Sequence, residues 1–232
     1  MDARVTPLSI IVPCLNEEAG IVAALEALMP LRARGAEVIV VDGGSTDATV
    51  ALARPRCDSV LEAPRGRGRQ MNAGAARARG EVIVFLHSDS RLPERSDSLI
   101  TVGLAGCRRQ WGRFDVTIGG DHPLLRIIGT FMNARSRWTG IATGDQAIFV
   151  KRELFETLGG YREIALMEDI ELSERLKAHS APLSLRHKVV TSGRRWERNG
   201  VLRTVLLMWR LRLAYRFGVD PAKLALLYAS NR

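Results

Sequence analysis

The chain has 232 residues, 46% hydrophobic and 25% charged, and a net charge of +9 carried mainly by arginine. That is normal globular composition for one large domain with a substantial core, which argues against a second independent domain; the positive balance calls for an anionic partner, whether nucleic acid, lipid headgroups or the phosphates of a small substrate. Cys14, Cys57 and Cys107 are odd in number and lack zinc-site spacing, and the N-terminus has no secretory core, so a reducing, cytoplasmic location without a signal peptide is expected.

In chain order, the first half alternates strand-like and helix-like segments. "LSIIVP" reads as a strand, 17–29 as a helix, "EVIVVD" as a strand, 47–53 as a helix, "CDSVLEA" as a strand, 69–79 as a helix and "EVIVFLH" as a strand. Continuous Val/Ile runs separated by helices predict an α/β fold with a mostly parallel sheet covered on both faces. Ligands of such sheets sit beyond the carboxyl ends of the strands. The polar clusters "CLNEE", "DGGSTD" and "HSDS" each follow a predicted strand at once, so three strand tips bring their side chains to one edge.

Beyond them the pattern changes. A helical stretch near 91–106 leads to a Gly-rich segment, then "GRFDVTI", a helix over 123–138, "DQAIFV", a helix over 168–179 and a strand around "LSLRHKVV". The expected organisation is a single domain: a nucleotide-binding half over about 5–92, a catalytic and acceptor half over about 93–196, and C-terminal helices over about 200–230. "VLRTVLLMWRLRLAYRF" is interrupted by Arg203, Arg210, Arg212 and Arg216, so it falls short of the roughly 20 apolar residues of a membrane span. It reads either as a core helix or as an interfacial helix whose arginines reach the headgroups, and the short helix "DPAKLALLY" that follows favours the first.

The side chains at the strand tips have ordinary and chemical readings. In residues 42–49, "DGGSTDAT" can be a plain capped turn, but its glycines and helix N-terminus also suit an anion, and Asp42 before the glycines is the unusual part. Arg65, Arg67 and Arg69 on a glycine-spaced loop could form a solvated basic face or fork onto phosphate oxygens. His87, Ser88 and Asp89 could be a turn or could hold a metal or phosphate. Glu168 and Asp169 suit a first helical turn electrostatically, a role worth about 0.5 kcal/mol. Arginines beside acids fit a metal-bound diphosphate better than nucleic acid, so nucleic acid is not an expected partner.

Taken in order, "IIVPCLNEE", "VVDGGSTDAT", "GRGRQMNAGAARARGEVIVFLHSD", "GDQAIFVKRELFETLGGY" and "MEDIELSERL" resemble a family 2 glycosyltransferase of GT-A fold. The chain is most similar to compact bacterial members often described with arsenosugar biosynthesis. The resemblance implies a nucleotide-diphospho-sugar donor, a hydroxyl acceptor that is a small molecule or lipid-linked, and Mg²⁺ or Mn²⁺. It places Pro13, Asn16, Glu18, Asp42, Arg69 and His87 at the donor. It places Asp89 at the metal; His187, on the strand after the Glu168–Asp169 helix, could complete the cation's shell as a neutral imidazole or could be structural. Asp169 becomes the catalytic base with Glu168 beside it, and Asp145, Gln146, Arg195 and Trp196 line the acceptor side.

The sequence departs from the family pattern at three positions. His87 stands for the first aspartate of Asp-x-Asp, which leaves the cation fewer protein ligands. Gly43 stands for the second aspartate of Asp-Asp-Gly-Ser, and Ser192 for the glutamine of Gln-x-x-Arg-Trp; the latter argues against a processive polysaccharide synthase. Two alternatives make different products or complexes. A sugar-phosphate nucleotidyltransferase of similar fold would release pyrophosphate, and a basic nucleic-acid-binding protein would bind in a steeply salt-dependent way.

Overall fold

The computed structural model describes residues 8–229, apart from the side chain of Arg195. The first half runs β1 (Leu8–Cys14), α1 (Ile21–Glu26), α2 (Met29–Ala33), β2 (Glu37–Asp42), α3 (Thr49–Ala53), β3 (Ser59–Glu62), α4 (Arg67–Arg77) and β4 (Val82–Phe85). It continues through β5 (Ser90–Arg91), α5 (Ser96–Ala105), β6 (Trp111–Gly119), α6 (Leu124–Thr139), β7 (Phe149–Lys151), α7 (Arg152–Thr157), α8 (Glu168–His179) and β8 (Leu183–Ser192). Three helices follow: α9 (Arg194–Asn199), α10 (Val201–Arg216) and α11 (Pro221–Ala229).

Among the described residues, eight strands join one sheet in the order β3-β2-β1-β4-β7-β6-β8-β5. The β3-β2-β1-β4 half is parallel throughout. β7 runs antiparallel between β4 and β6, and β5 is an antiparallel edge on β8. The expected helix over 17–29 divides because Pro30 opens α2: a proline fits a first helical turn, where its missing N–H costs nothing.

Successive strand residues point to opposite faces, and here both faces are covered. Ile10, Val12, Val38, Val40 and Val84 enter one core with Ile21 and Leu25 of α1 and Ile100 of α5. Ile11, Ile39, Val41, Ile83 and Phe85 enter the other with Met71 of α4, Phe155 of α7 and Leu172 of α8. The unbroken apolar runs exist because each residue has a core to fill.

The second core depends on a close approach. A Cβ at Gly74 in α4 would meet Ile11 Cγ2 at 2.5 Å and Val41 Cγ2 at 3.0 Å, both on rigid β-branched side chains. Gly74→Ala is therefore expected to cost about 1–3 kcal/mol, the usual range for overpacking, read as a lower urea midpoint with an unchanged slope.

Candidate active site

The parallel strands deliver their tips to one side, where a cleft opens. Asn16 and Glu17 follow β1, His87 and Asp89 follow β4, and Thr191 and Ser192 end β8. The cleft is also lined by Asp145, by Glu168 and Asp169 at the start of α8, and by Met208, Leu211 and Arg212 of α10.

Asp169 is held at two points. Its Oδ2 accepts from the Gly144 N–H at 2.8 Å and its Oδ1 from the Ile170 N–H at 2.7 Å. Glu168 beside it is buried, and burial followed by the Asp169 charge raises its carboxyl above the usual range, with Arg67 opposing. Glu168 thus binds a proton more tightly folded than unfolded, so its contribution is present at low pH and is lost as pH rises through its folded pKa. Glu168→Gln is expected to raise the melting temperature at pH 7–8 by a few degrees, about 2–4 °C per kcal/mol in a domain this large, and to give no gain at pH 4.

In the same cleft, Asp89 is exposed, and Ser90 next to it is locked: the Ser90 hydroxyl bonds Thr191 Oγ1 at 3.0 Å in the β5–β8 pair. Glu17 is half-buried, and burial together with the Asp89 charge raises its carboxyl. Arg194 Nη2 lies 3.9 Å from Glu17 Oε2. His87 Nδ1 lies 3.3 Å from Asp145 Oδ1, and a Cβ on Gly144 would collide with the His87 ring. Non-glycine residues with positive φ gather here: Asn16 and Met167 line the cleft, and Ala147 closes the turn that carries Asp145. Each such conformation costs of order 1–3 kcal/mol and persists only where the surroundings fix it.

Residues 9–98 match the domain described as Glycosyl transferase family 2. Over that stretch the chain is similar to the family 2 glycosyltransferases. A PGL/p-HBAD biosynthesis glycosyltransferase of Mycobacterium tuberculosis is 28% identical over 235 residues, covering 91% of this chain and 86% of the relative. The fold is similar to S. aureus TarS 1-349 in complex with UDP (TM-score 0.65, 19% identity, 80% of this chain). It is also similar to the mannosyltransferase PcManGT of Pyrobaculum calidifontis in complex with GDP-Man and Mn2+ (TM-score 0.64, 22% identity, 94% of this chain). The chain spans 60% of the TarS segment and 67% of PcManGT. The fold is the GT-A fold of these glycosyltransferases.

Of the residues expected at the site, the cleft brings together Asn16, His87, Asp89, Asp145, Glu168, Asp169 and Trp196. Six other residues expected at the site lie elsewhere. Asp42 is 2% exposed and turned inward: its carboxylate accepts from the Gly44 and Ser45 N–H groups at 2.9 and 2.8 Å and from the Ser45 hydroxyl. It therefore orders the turn instead of facing a base. The Cys14 thiol, pushed up to about 12 by burial and then by Asp42, adds a weak fourth contact. That turn in turn shapes Asn16, whose N–H donates to Ser45 Oγ at 2.8 Å and whose Oδ1 accepts from Thr46 N–H at 2.9 Å.

Pro13 is buried in β1. Glu18 does not line the cleft and accepts from the Ala48 N–H at 3.1 Å. Arg69 pairs with Glu163 at 2.8 Å, and it is Arg67 that lines the cleft. Gln146 is fully buried, closing a capping box with Thr143. His187 is exposed on β8, four residues before Thr191, or roughly 13 Å of strand, so it does not join Asp89. The side chain of Arg195 lies outside the described residues.

Glu17, Arg194 and Arg212 are cleft residues that the motifs did not single out, while Arg67, one of the three loop arginines read as able to bind phosphate, is the one of them that lines the cleft. Glu17 had a signal, its place between Asn16 and Glu18 in "CLNEE"; Arg212 had none. Among the described residues, no three His, Cys, Asp or Glu side chains converge on a cation position. What the cleft offers is the Glu17 and Asp89 pair.

Proposed function

We propose that the chain moves a sugar from a nucleoside-diphosphate donor to an acceptor hydroxyl with inversion, using Asp169 as general base. The observation that carries this reading is the Asp169 carboxylate, fixed by two backbone N–H groups and lining the same cleft as Asn16 and Asp89. The acceptor O–H proton passes to Asp169 while its oxygen bonds the anomeric carbon. The bond from that carbon to the diphosphate oxygen breaks on the far face, and nucleoside diphosphate leaves. Asn16 and His87 would contact the donor, and Arg67 and Arg194 would stabilise charge on its phosphates.

The carboxylates present fit a divalent cation. Mg²⁺ is typically held through one or two carboxylates with substrate phosphates and water filling the remaining positions, and the mutual charge of Glu17 and Asp89, which raises Glu17, is what such an ion would neutralise. Asp89 would hold it with Glu17 alongside, and its chemistry there would be to offset charge growing on the leaving diphosphate. Glu168, Asp145 and Trp196 would position the acceptor. Leu166, Met208, Leu211 and Tyr228 make that end of the cleft partly apolar, which suits an acceptor with an apolar portion and peripheral contact with a membrane that carries it.

A screen of nucleotide sugars by thermal shift with Mn²⁺ present tests the reading, since a ligand bound only by the folded state raises its stability. The expected result is a rise with one class of nucleoside-diphosphate sugar and release of nucleoside diphosphate on turnover. Release of pyrophosphate from a nucleoside triphosphate and a sugar phosphate would instead establish a nucleotidyltransferase.

A further inference from the structure

The helix α10 is apolar on both sides. Val201 and Leu211 are buried, the latter in a cluster with Met167, Ile170 and Leu224. On the outward side, Leu202, Leu206, Trp209 and Leu213 recur at spacings of four, three and four residues, so at about 100° per residue they fall within one narrow arc. All four are exposed, Leu206 by 69% and Trp209 by 71%.

A second stripe lies on α6, where Ile127, Phe131 and Trp138 share one face; Phe131 is 68% and Trp138 91% exposed. The stripes meet in one groove, lined by Trp138 from α6 and by Trp209 and Leu213 from α10. Contiguous exposed apolar surface of this kind marks an interaction site.

The charge around it is predominantly positive. Among the residues of α6 and α10 there is no Asp or Glu. Arg126 and Arg137 are exposed on α6, and Arg203, Arg210 and Arg216 on α10, flanking its apolar arc. In the groove, Arg135 keeps its Nε and Nη2 buried with no hydrogen-bond partner, and burial with the neighbouring Arg212 pulls its guanidinium down to about 10. Among the described residues, Glu174 is the one carboxylate in that lining. A second copy of the chain would bring arginine against arginine. An anionic lipid surface matches both features, with acyl chains for the Trp and Leu stripe and phosphates for the exposed positive charge. No helix among the described residues is long and apolar enough to cross a membrane, so such an attachment lies along the surface.

We propose that the outward faces of α6 and α10 form one docking surface for an anionic bilayer, with Trp138, Trp209 and the leucines of α10 entering the headgroup region and the flanking arginines pairing with lipid phosphates. The inner side of α10 lines the cleft through Met208, Leu211 and Arg212, so docking sets the acceptor end of the cleft beside the lipid surface. The proposal deepens the membrane contact included under the proposed function, but its test needs neither donor nor turnover and fails or succeeds separately from the catalytic reading.

The experiment is flotation of the full chain with phosphatidylcholine vesicles, with and without about 30% phosphatidylglycerol, at low and high salt. Flotation is expected only with the anionic vesicles, weakening with salt, together with a blue shift of tryptophan emission. Trp138→Ser with Trp209→Ser should lower partitioning at least about tenfold. Arg126→Gln, Arg210→Gln and Arg216→Gln should lower it about fivefold each, with circular dichroism and melting temperature unchanged because these side chains are exposed. No flotation at low salt, or equal flotation of wild type and variants, would overturn the proposal. So would a dimer in sedimentation analysis that the double Trp variant dissolves while vesicles remain unbound.

Discussion

Asp169→Asn is expected to lower the turnover number by on the order of 10³-fold, within the 10²–10⁴ range of a positioned general base, while the donor still raises the melting temperature. The reason is local. Both Asp169 oxygens are anchored, one by the Gly144 N–H and one by the Ile170 N–H, so the carboxylate has one orientation and no reorganisation precedes proton transfer. Asparagine keeps the shape and one acceptor but cannot take a proton, and the lost acceptor should cost only about 1 kcal/mol of stability. Donor affinity and kcat, measured by release of nucleoside diphosphate, should therefore part company. Full activity in Asp169→Asn would move the base to Glu168 or Asp145, acids that line the same cleft. A loss of donor binding together with kcat would instead make Asp169 a donor contact.

Much of this arrangement is legible in the residues. The Val/Ile runs of β1, β2 and β4 announce buried parallel strands because each side chain, whichever face it takes, meets a helix-covered core. The acidic start and basic end of α8 mark both its bounds, Glu168 and His179. The antiparallel insertion of β7 between β4 and β6 is a long-range pairing that no local pattern encodes. The exchange of Arg69 for Arg67 has a simple geometric cause. Gly66, at φ 140°, starts α4 at Arg67, two residues earlier than the sequence suggests. Two helical positions differ by about 200°, so only one of these arginines can face the cleft. Asp42 misleads for a different reason: a carboxylate beside two glycines can meet a ligand or cap its own turn, and burial decides for the turn. The α10 sequence conceals its exposed stripe because leucines on the inner side blur the amphipathic pattern.

The second large effect is expected at Asp89. Asp89→Ala should reduce kcat/KM by about 10²–10³, the range for removing one group that stabilises transition-state charge, and should make the donor-induced thermal shift indifferent to Mn²⁺ or EDTA. Asp89 stands at the cleft beside Ser90, whose hydroxyl and backbone are tied to Thr191 on β8. The truncation therefore removes a charge from a rigid edge without releasing the loop. Glu17, relieved of its neighbour's charge, is left as the lone carboxylate on that side and cannot restore the pair. His87→Ala provides the contrast. Its ring packs on Gly144 and meets Asp145 at 3.3 Å, so its loss should loosen the turn that anchors Asp169 and raise KM by up to about tenfold, the effect of one modest contact. An equal collapse of kcat/KM in both variants would place His87 on the diphosphate itself. Full wild-type activity in EDTA would remove the cation from the reaction and leave Arg67 and Arg194 to carry the leaving-group charge.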